Sequence, residues 1–296
     1  MMIEHTNQLN DLQLNQLMQL KVPCKQKDES VPNVYPHILA QPRAFPVNLL
    51  YYDQSQLIGF LSVFFFYDDA VEISLLIAPK SRRKGIATQL LQSILPLIQS
   101  QHISTLIFSS PSHRNSNWLK GMGFTYLHSE YYMERDDLNP LLDCNQTLTF
   151  REASIQDITV LCAIDDACFP KTQGKSTERF QQIFDDRNYQ VFMAYQNNQP
   201  IGKAHLRWEN QGVTLSDIAV LPKLQGKGFG SALISHCINY ALSEGKPNVN
   251  LDVETHNQRA LNLYTRLGFH VQNACDYWSI ELNKLQEFPK LKHSEA

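Results

Sequence analysis

The chain has 296 residues, 43% of them apolar and 19% charged, with a formal net charge of −3. That length suits two domains better than one, and the apolar share suits packed cores. A weakly acidic balance with no basic run argues against a nucleic-acid surface.

No apolar stretch has the length of a bilayer span, and the first residues (MMIEHTNQLNDLQLNQL) are polar with helical spacing rather than a signal peptide. No membrane association is expected. The six cysteines (Cys24, Cys144, Cys162, Cys168, Cys237, Cys275) are scattered without a C-x-x-C pair, which reads as reduced structural residues in a cytoplasmic protein. The ten histidines do not cluster at ligand spacing, so no metal is expected.

In chain order, apolar residues from Leu9 to Leu20 recur at helical spacing. Val47 to Tyr52, Leu57 to Phe66 and Ala70 to Ile77 read as strands of a meander, separated by Asp53-Gln54-Ser55 and Tyr67-Asp68-Asp69. Ala78-Pro79 ends the third strand, and Arg82-Arg83-Lys84-Gly85-Ile86-Ala87 leads into a helix with Leu90, Leu91, Ile94, Leu95 and Ile98 on one face. Pro96 falls inside that helix and is expected to kink or shorten it. A strand, Thr105 to Phe108, and a further helix closed by Gly123-Phe124 complete the segment. Residues 135–146 (RDDLNPLLDCNQ) are polar and contain proline, a linker composition.

The series then starts again: a helix from Ile155 to Ile164, strands from Gln190 to Tyr195, Ile201 to Trp208 and Val213 to Val220, a glycine loop, a helix, a strand from Asn248 to Val253, and a helix from Gln258 to Leu267 closed by Gly268-Phe269. Sliding the first half by 143 positions lays Ile58-Gly59 on Ile201-Gly202, and Arg82 to Ala87 on Gln225 to Gly230. After a two-residue adjustment, Gly123-Phe124 falls on Gly268-Phe269. The repeat is a whole domain long. The expectation is two tandem copies, 1–134 and 147–296 around the linker. Each would be an α/β domain with a mixed, mostly antiparallel sheet and helices on both faces.

The glycine loop carries the first functional signal. Ile218, Ala219 and Val220 end a buried strand, Pro222 breaks it, and Gln225, Gly226, Lys227, Gly228, Phe229, Gly230 and Ser231 open a helix. Such a loop leaves backbone N–H groups uncovered at a helix N-terminus, where the dipole favours an anion. The P-loop pattern is absent, and the dinucleotide pattern G-x-G-x-x-G fails after Gly230. What remains, Gln225-x-x-Gly228-x-Gly230, resembles the acetyl-CoA signature of the GNAT superfamily of N-acetyltransferases. The tandem layout resembles that of mycothiol synthases.

Downstream, Leu251, Val253, Asn257, Ala260, Tyr264, Gly268 and Phe269 match the later GNAT segment. The resemblance implies that Asn257 bonds the pantetheine or pyrophosphate region and that Tyr264 stands near the thioester sulfur as general acid. It also implies that a backbone N–H near Ile218 to Val220 holds the carbonyl oxygen. A protonated amine must lose a proton before attacking a thioester. Asp252, placed where some relatives carry a carboxylate base, is the first candidate; Asp217 is the second and Glu254 the third. Alone, Tyr264 would read as a core aromatic, Asp252 and Glu254 as solvated strand residues, and Asp217 as a local cap. His236 and His256 read as structural or surface residues.

In the first copy the cradle pattern persists at Arg82, Gly85 and Ala87, with Arg83, Lys84 and Ile86 beside them, and these are candidate cofactor contacts too. Its later segment departs: Leu119 stands at the tyrosine position, Ser112 at the asparagine and Ile107 at Asp252. The resemblance implies an acetyl-CoA-dependent transferase active in the second copy. It acts on a small-molecule amine or peptide N-terminus, as a monomer or homodimer. The alternative is a CoA-binding sensor or scaffold. The acceptor walls are expected at 167–188 and 271–278, where Asp185-Asp186 reads either as a contact for a cationic acceptor or as a helix-end cap.

Overall fold

A computed structural model describes residues 2–142, 147–169, 176–209 and 212–285. They form two compact units. Unit 1 takes residues up to 131, with 254–256 and the chain from 273 onward; unit 2 takes 132–253 and 257–272. The division falls elsewhere than the expected linker, whose residues 143–146 lie outside the described residues. So do residues 210–211, between two of the expected strands.

Unit 1 contains strands β1 (Met2–Thr6), β2 (Asn48–Asp53), β3 (Gln56–Phe64), β4 (Ala70–Ile77) and β5 (Thr105–Pro111). Neighbours in this series are antiparallel except β4 and β5, which run parallel. Helix α1 (Asp11–Asp28) covers one face and α3 (Ile86–Ser100) the other, with short helices α2 (Pro36–Leu39) and α4 (Ser116–Gly121) in the connections. Strand alternation explains the two layers. Leu49, Tyr51, Leu61, Val63, Val71 and Ile73 pack with Leu90, Leu91, Ile94 and Ile98 of α3. Their neighbours Leu50, Tyr52, Phe60, Phe64 and Leu76 pack with Leu17, Leu20 and Cys24 of α1. Pro96 does not shorten α3, which runs through it for 15 residues. Its ring sits in a helix already anchored by buried Leu90, Leu91, Ile94 and Ile98, so packing outweighs one lost backbone bond.

The edge of this sheet beyond β5 is completed from the far end of the chain. In β12 (His270–Glu281), Cys275 to Glu281 pair antiparallel with Pro111 to Thr105. Asp276, 4% exposed, accepts hydrogen bonds from Ser112 Oγ (2.7 Å), the His113 N–H (2.8 Å) and Ser129 Oγ (2.6 Å). The segment 271–278, expected as a loop walling the second copy's acceptor site, is therefore continuous strand, and from Asn273 it belongs to unit 1.

Unit 2 has the strand order β7 (Leu148–Glu152), β8 (Tyr189–Gln196), β9 (Gln199–Trp208), β10 (Gly212–Val220) and β11 (Asn248–Glu254), then the end of β6 (Thr125–Arg135). Strands β7 to β10 are antiparallel, and β10 runs parallel to β11. Helices α5 (Ile158–Cys168) and α6 (Ser176–Asp185) lie on one face, where Leu161, Ile164 and Phe180 meet Val191, Met193 and Ala219. Helix α7 (Phe229–Ser243) packs on β9 and β10 through a buried stripe that includes Leu233, Ile234, Cys237 and Ile238. Helix α8 (Gln258–Arg266) follows β11. No described helix is long and apolar enough to cross a membrane.

Candidate active site

The cradle of unit 2 is built by backbone conformation. After β10, one turn of 3₁₀ helix (Pro222–Leu224) reverses the chain. Gly226 and Gly228 then take φ of +82° and +84°, conformations that cost a residue with a Cβ about 1–2 kcal/mol. Gly228 is the N-cap of α7, and no side chain caps that end. A Cβ on Gly228 would meet no atom within 4 Å, so the helix N-terminus opens onto free space. Lys227 is exposed beside it, while Phe229 is buried and anchors the helix start. Gln225 does not reach outward: its Nε2 donates to the Val220 carbonyl at 3.0 Å and ties the loop to its strand. Sequence reading missed Arg259, on the first turn of α8, whose Nη2 lies 3.1 Å from where a Cβ on Gly226 would stand. An arginine in the first turn of an expected helix offered no signal until that helix was placed beside the loop.

Pairing between β10 and β11 covers only Gly212 to Thr214 against Asn248 to Asn250, so the strands part beyond Thr214. Over the same stretch β10 bulges against β9. Ser216 faces His205 and Ala219 faces Lys203, leaving Asp217 and Ile218 opposite one residue. Asp217 holds the bulge with φ +48°, a left-handed conformation that Asp tolerates better than most residues. Its carboxylate accepts from Arg179 Nη2 (2.5 Å) and lies 3.4 Å from His205 Nδ1. Behind it, Lys203 Nζ sits 2.8 Å from Asp165 Oδ1 and 2.9 Å from His205 Nε2, with Lys203, His205 and Asp165 all buried. Burial pushes the His205 imidazole down to about 3, so it is neutral near pH 7. Burial alone would raise the Asp217 carboxyl, but the neighbouring His205, Lys203 and Arg179 hold it below its ordinary value. Of these, Arg179 is held above its ordinary value by Asp217 despite its partial burial, whereas burial pushes the Lys203 ammonium down. A carboxylate so held is a poor proton acceptor.

On β11, Asp252 is exposed between buried Leu251 and Val253. Glu254, the third candidate carboxylate, groups with unit 1, its carboxylate 3.0 Å from His256 Nε2. Asn257 is the N-cap of α8, accepting from the Ala260 N–H at 3.2 Å, which leaves its Nδ2 for another partner. Tyr264, 9% exposed, stacks edge-on to Phe269 at 5.9 Å, and burial pushes its hydroxyl up to about 12. The far end of α8 is held by Arg135, 1% exposed, whose Nε donates to the Leu267 carbonyl at 3.0 Å. His236 is half-buried and stacked 4.5 Å from Phe150.

Unit 1 repeats the cradle's backbone without the rest. Arg83 and Gly85 take φ of +64° and +77°, and Gly85 caps α3 with no side-chain bond. Ile86 is buried, Ala87 half-buried, and Arg83 and Lys84 are exposed. Arg82 Nε donates to the Ile77 carbonyl (3.1 Å), the contact Gln225 makes with Val220, and its Nη atoms grip Asp28 at 2.8 and 2.6 Å. The β3–β4 register runs unbroken from Gly59–Ile77 to Phe64–Glu72, with no bulge. Leu119 fills the tyrosine position, fully buried, and Ser112 is bound to Asp276. Folding also brings His128, Glu130 and Glu254 together with ligand atoms within 4.8 Å of one another, a grouping that the scattered sequence positions did not suggest. His128 Nε2 and Glu130 Oε1 are 3.2 Å apart, and that hydrogen bond raises the imidazole above its ordinary value.

Comparison with known proteins agrees with this geometry. The bovine (Bos taurus) thialysine N-epsilon-acetyltransferase is 34% identical over 71 residues, 24% of this chain and 42% of that protein. The chain thus spans less than half the length of that relative. A mycothiol acetyltransferase of Acidimicrobium ferrooxidans is 24% identical over 75% of this chain and 77% of its own length. Among solved structures, a GCN5-related N-acetyltransferase from Sphaerobacter thermophilus superposes with a TM-score of 0.77 at 15% identity, covering 95% of both chains. A tandem GNAT protein from the clavulanic acid biosynthesis pathway superposes at 0.69 and 15% identity, covering 95% of this chain and 99% of its own. The sequence model of the acetyltransferase (GNAT) family matches residues 14–124 and again residues 158–269. With a parted strand pair, a glycine-opened helix and two family matches covering most of its length, the chain belongs to the GNAT acetyltransferase family as a tandem of two copies.

Proposed function

We propose that the protein is an acetyl-CoA-dependent N-acetyltransferase that moves an acetyl group directly to a primary amine, with the chemistry in unit 2. The observation that carries this is the asymmetry between the copies. Both keep the open helix N-terminus, and in both the parallel strand pair parts before the loop, but the bulge and the buried tyrosine occur in unit 2.

The residues of unit 2 fit the co-substrate: the space above Gly228 and the uncapped start of α7 suit a pyrophosphate, with Lys227, Arg259 and the Asn257 amide nearby in the chain's fold. When bound, acetyl-CoA supplies an activated acyl carbon and a thiolate leaving group. The N–H groups of Ile218 to Val220, freed from β11, then orient the carbonyl oxygen and stabilise charge developing on it. Tyr264, kept neutral by burial, gives its hydroxyl proton to the departing sulfur. Asp252, solvent-exposed, takes the amine's proton through ordered water, whereas Asp217 is tied to cations and acts structurally. In unit 1, Arg82 to Ala87 form a cradle without the catalytic groups, which suits CoA binding or packing alone.

The amine-acylating relatives favour a small-molecule amine or peptide N-terminus as acceptor, for a cytoplasmic monomer or homodimer. Of the expected acceptor walls, residues 170–175 lie outside the described residues. The test is release of CoA thiol from acetyl-CoA against polyamines, aminoglycosides, amino acids and short peptides. Saturable release with one class supports the reading. Acetyl-CoA binding without release from any of them would favour the sensor or scaffold alternative.

A further inference from the structure

Five charged or titratable side chains of unit 2 meet beneath the β10 bulge, and they come from four elements: Asp165 from α5, Arg179 from α6, Lys203 and His205 from β9, and Asp217 from β10 itself. Lys203 is fully buried, with its ammonium 5.1 Å from the Phe180 ring centre and 5.8 Å from that of Phe169. It is fixed on one side by Asp165 at 2.8 Å and donates on the other to His205 Nε2 at 2.9 Å. With Nε2 accepting from Lys203, the neutral ring carries its proton on Nδ1, which lies 3.4 Å from Asp217 Oδ2. Arg179 closes the circuit from outside, donating to Asp217 Oδ1 at 2.5 Å while its Nη1 lies 3.9 Å from Asp165 Oδ2.

Burying this many ionisable groups is costly, and an apolar cluster would stabilise the domain as well or better. The network's geometry suggests another use. It holds the side chain of the residue whose φ of +48° makes the bulge, and on the proposed mechanism the N–H groups of that bulged stretch are the ones that hold the acyl oxygen. Unit 1, whose β4 has no bulge, has Ser74 at the position matching Asp217, bonded to the Asn33 carbonyl instead of to a cation.

We propose that Arg179, acting through Asp217 and backed by the Lys203–Asp165–His205 core, is a positioning residue for acetyl transfer that fixes the bulge in its productive shape. This rests on the reading of unit 2 as the catalytic copy. Asp217 is faced by Arg179 from α6, Asp165 from α5, Lys203 and His205 from β9, and Tyr189 from β8. The ion pair requires its carboxylate form. Removing the Arg179 charge weakens what keeps the carboxyl ionised, so protonation, and loss of the productive bulge, moves to higher pH.

The experiment compares unaltered protein with Arg179→Gln and Arg179→Lys, following CoA release with the best acceptor at saturating acetyl-CoA from pH 5 to 9. Arg179 is 41% exposed on its side chain, so the substitutions leave the core in place. The expected result for Arg179→Gln is a kcat about ten- to a hundredfold lower, with KM for acetyl-CoA little changed. The acid limb of the kcat profile should move to higher pH, and Arg179→Lys should recover most of both effects. An Arg179→Gln enzyme with the unaltered kcat and profile overturns the inference and leaves the N-acetyltransferase reading standing. So does a lower kcat without movement of the acid limb. No release by the unaltered protein removes the reading, and the inference with it.

Discussion

On the proposed mechanism, Tyr264 is the residue on which the chemistry turns. Its hydroxyl, pushed up to about 12 by burial, stays protonated across the working range, as a donor to a leaving thiolate must be. Tyr264→Phe removes only that hydroxyl, while the ring keeps its edge contact with Phe269. The expected outcome is a kcat lower by about 10²-fold with KM for acetyl-CoA within about twofold, read from steady-state CoA release. A KM that rises as much as kcat falls would make Tyr264 a binding residue instead. At this scale the sequence was informative where a role is local. Gly226 and Gly228 had to be glycines because of their φ, and the motif spacing marked them. Gln225 was legible as a motif position but not in its direction, since only the folded loop turns its amide back onto Val220. Lys203, His205, Asp165 and Arg179 carried no signal: they lie on different elements, and a lone Lys or His on a strand gives no hint of burial. Asp217 was noticed as a carboxylate, while its conformation and its two cations appear only with β9 and α6 in place.

The elements themselves were largely visible in apolar periodicity, because each strand alternates between two helical layers and each helix buries one stripe. Periodicity cannot name a strand's neighbour. The alternation of β12 is satisfied equally well by any partner edge, and the fold uses β5, 105–111, rather than a strand nearby in sequence. That choice is fixed by polar side chains, above all Asp276, whose three donors come from Ser112, His113 and Ser129. Asp276→Ala leaves those donors unpaired at a largely buried position, and unit 1 should lose about 2–4 kcal/mol by the usual cost of orphaned groups beside a deleted charge. Chemical denaturation followed by the fluorescence of Trp118 and Trp278, both in unit 1, should show an earlier transition. An unchanged midpoint would mean that backbone pairing alone holds β12.

The whole molecule is one fold written twice and kept differently. Backbone geometry at the two loops is nearly the same, with φ of +77° at Gly85 and +84° at Gly228, while the bulge and the buried tyrosine belong to unit 2. Duplication of the fold was legible because glycine, proline and Gly-Phe landmarks repeat at nearly constant offset. The unequal retention was half legible, from Leu119 and Ser112, and half hidden in strand register. Matched substitutions use this symmetry. Gly85→Ala and Gly228→Ala each place a Cβ in a left-handed N-cap at about the same conformational cost of 1–2 kcal/mol, so damage to folding is balanced between them. The decisive measurement is the rate of CoA thiol release from acetyl-CoA, with the preferred amine, for these two variants beside the unaltered protein. Gly228→Ala should lower kcat/KM for acetyl-CoA at least about tenfold, while Gly85→Ala should stay near the unaltered rate. Loss confined to Gly85→Ala would place the chemistry in unit 1 and contradict the account.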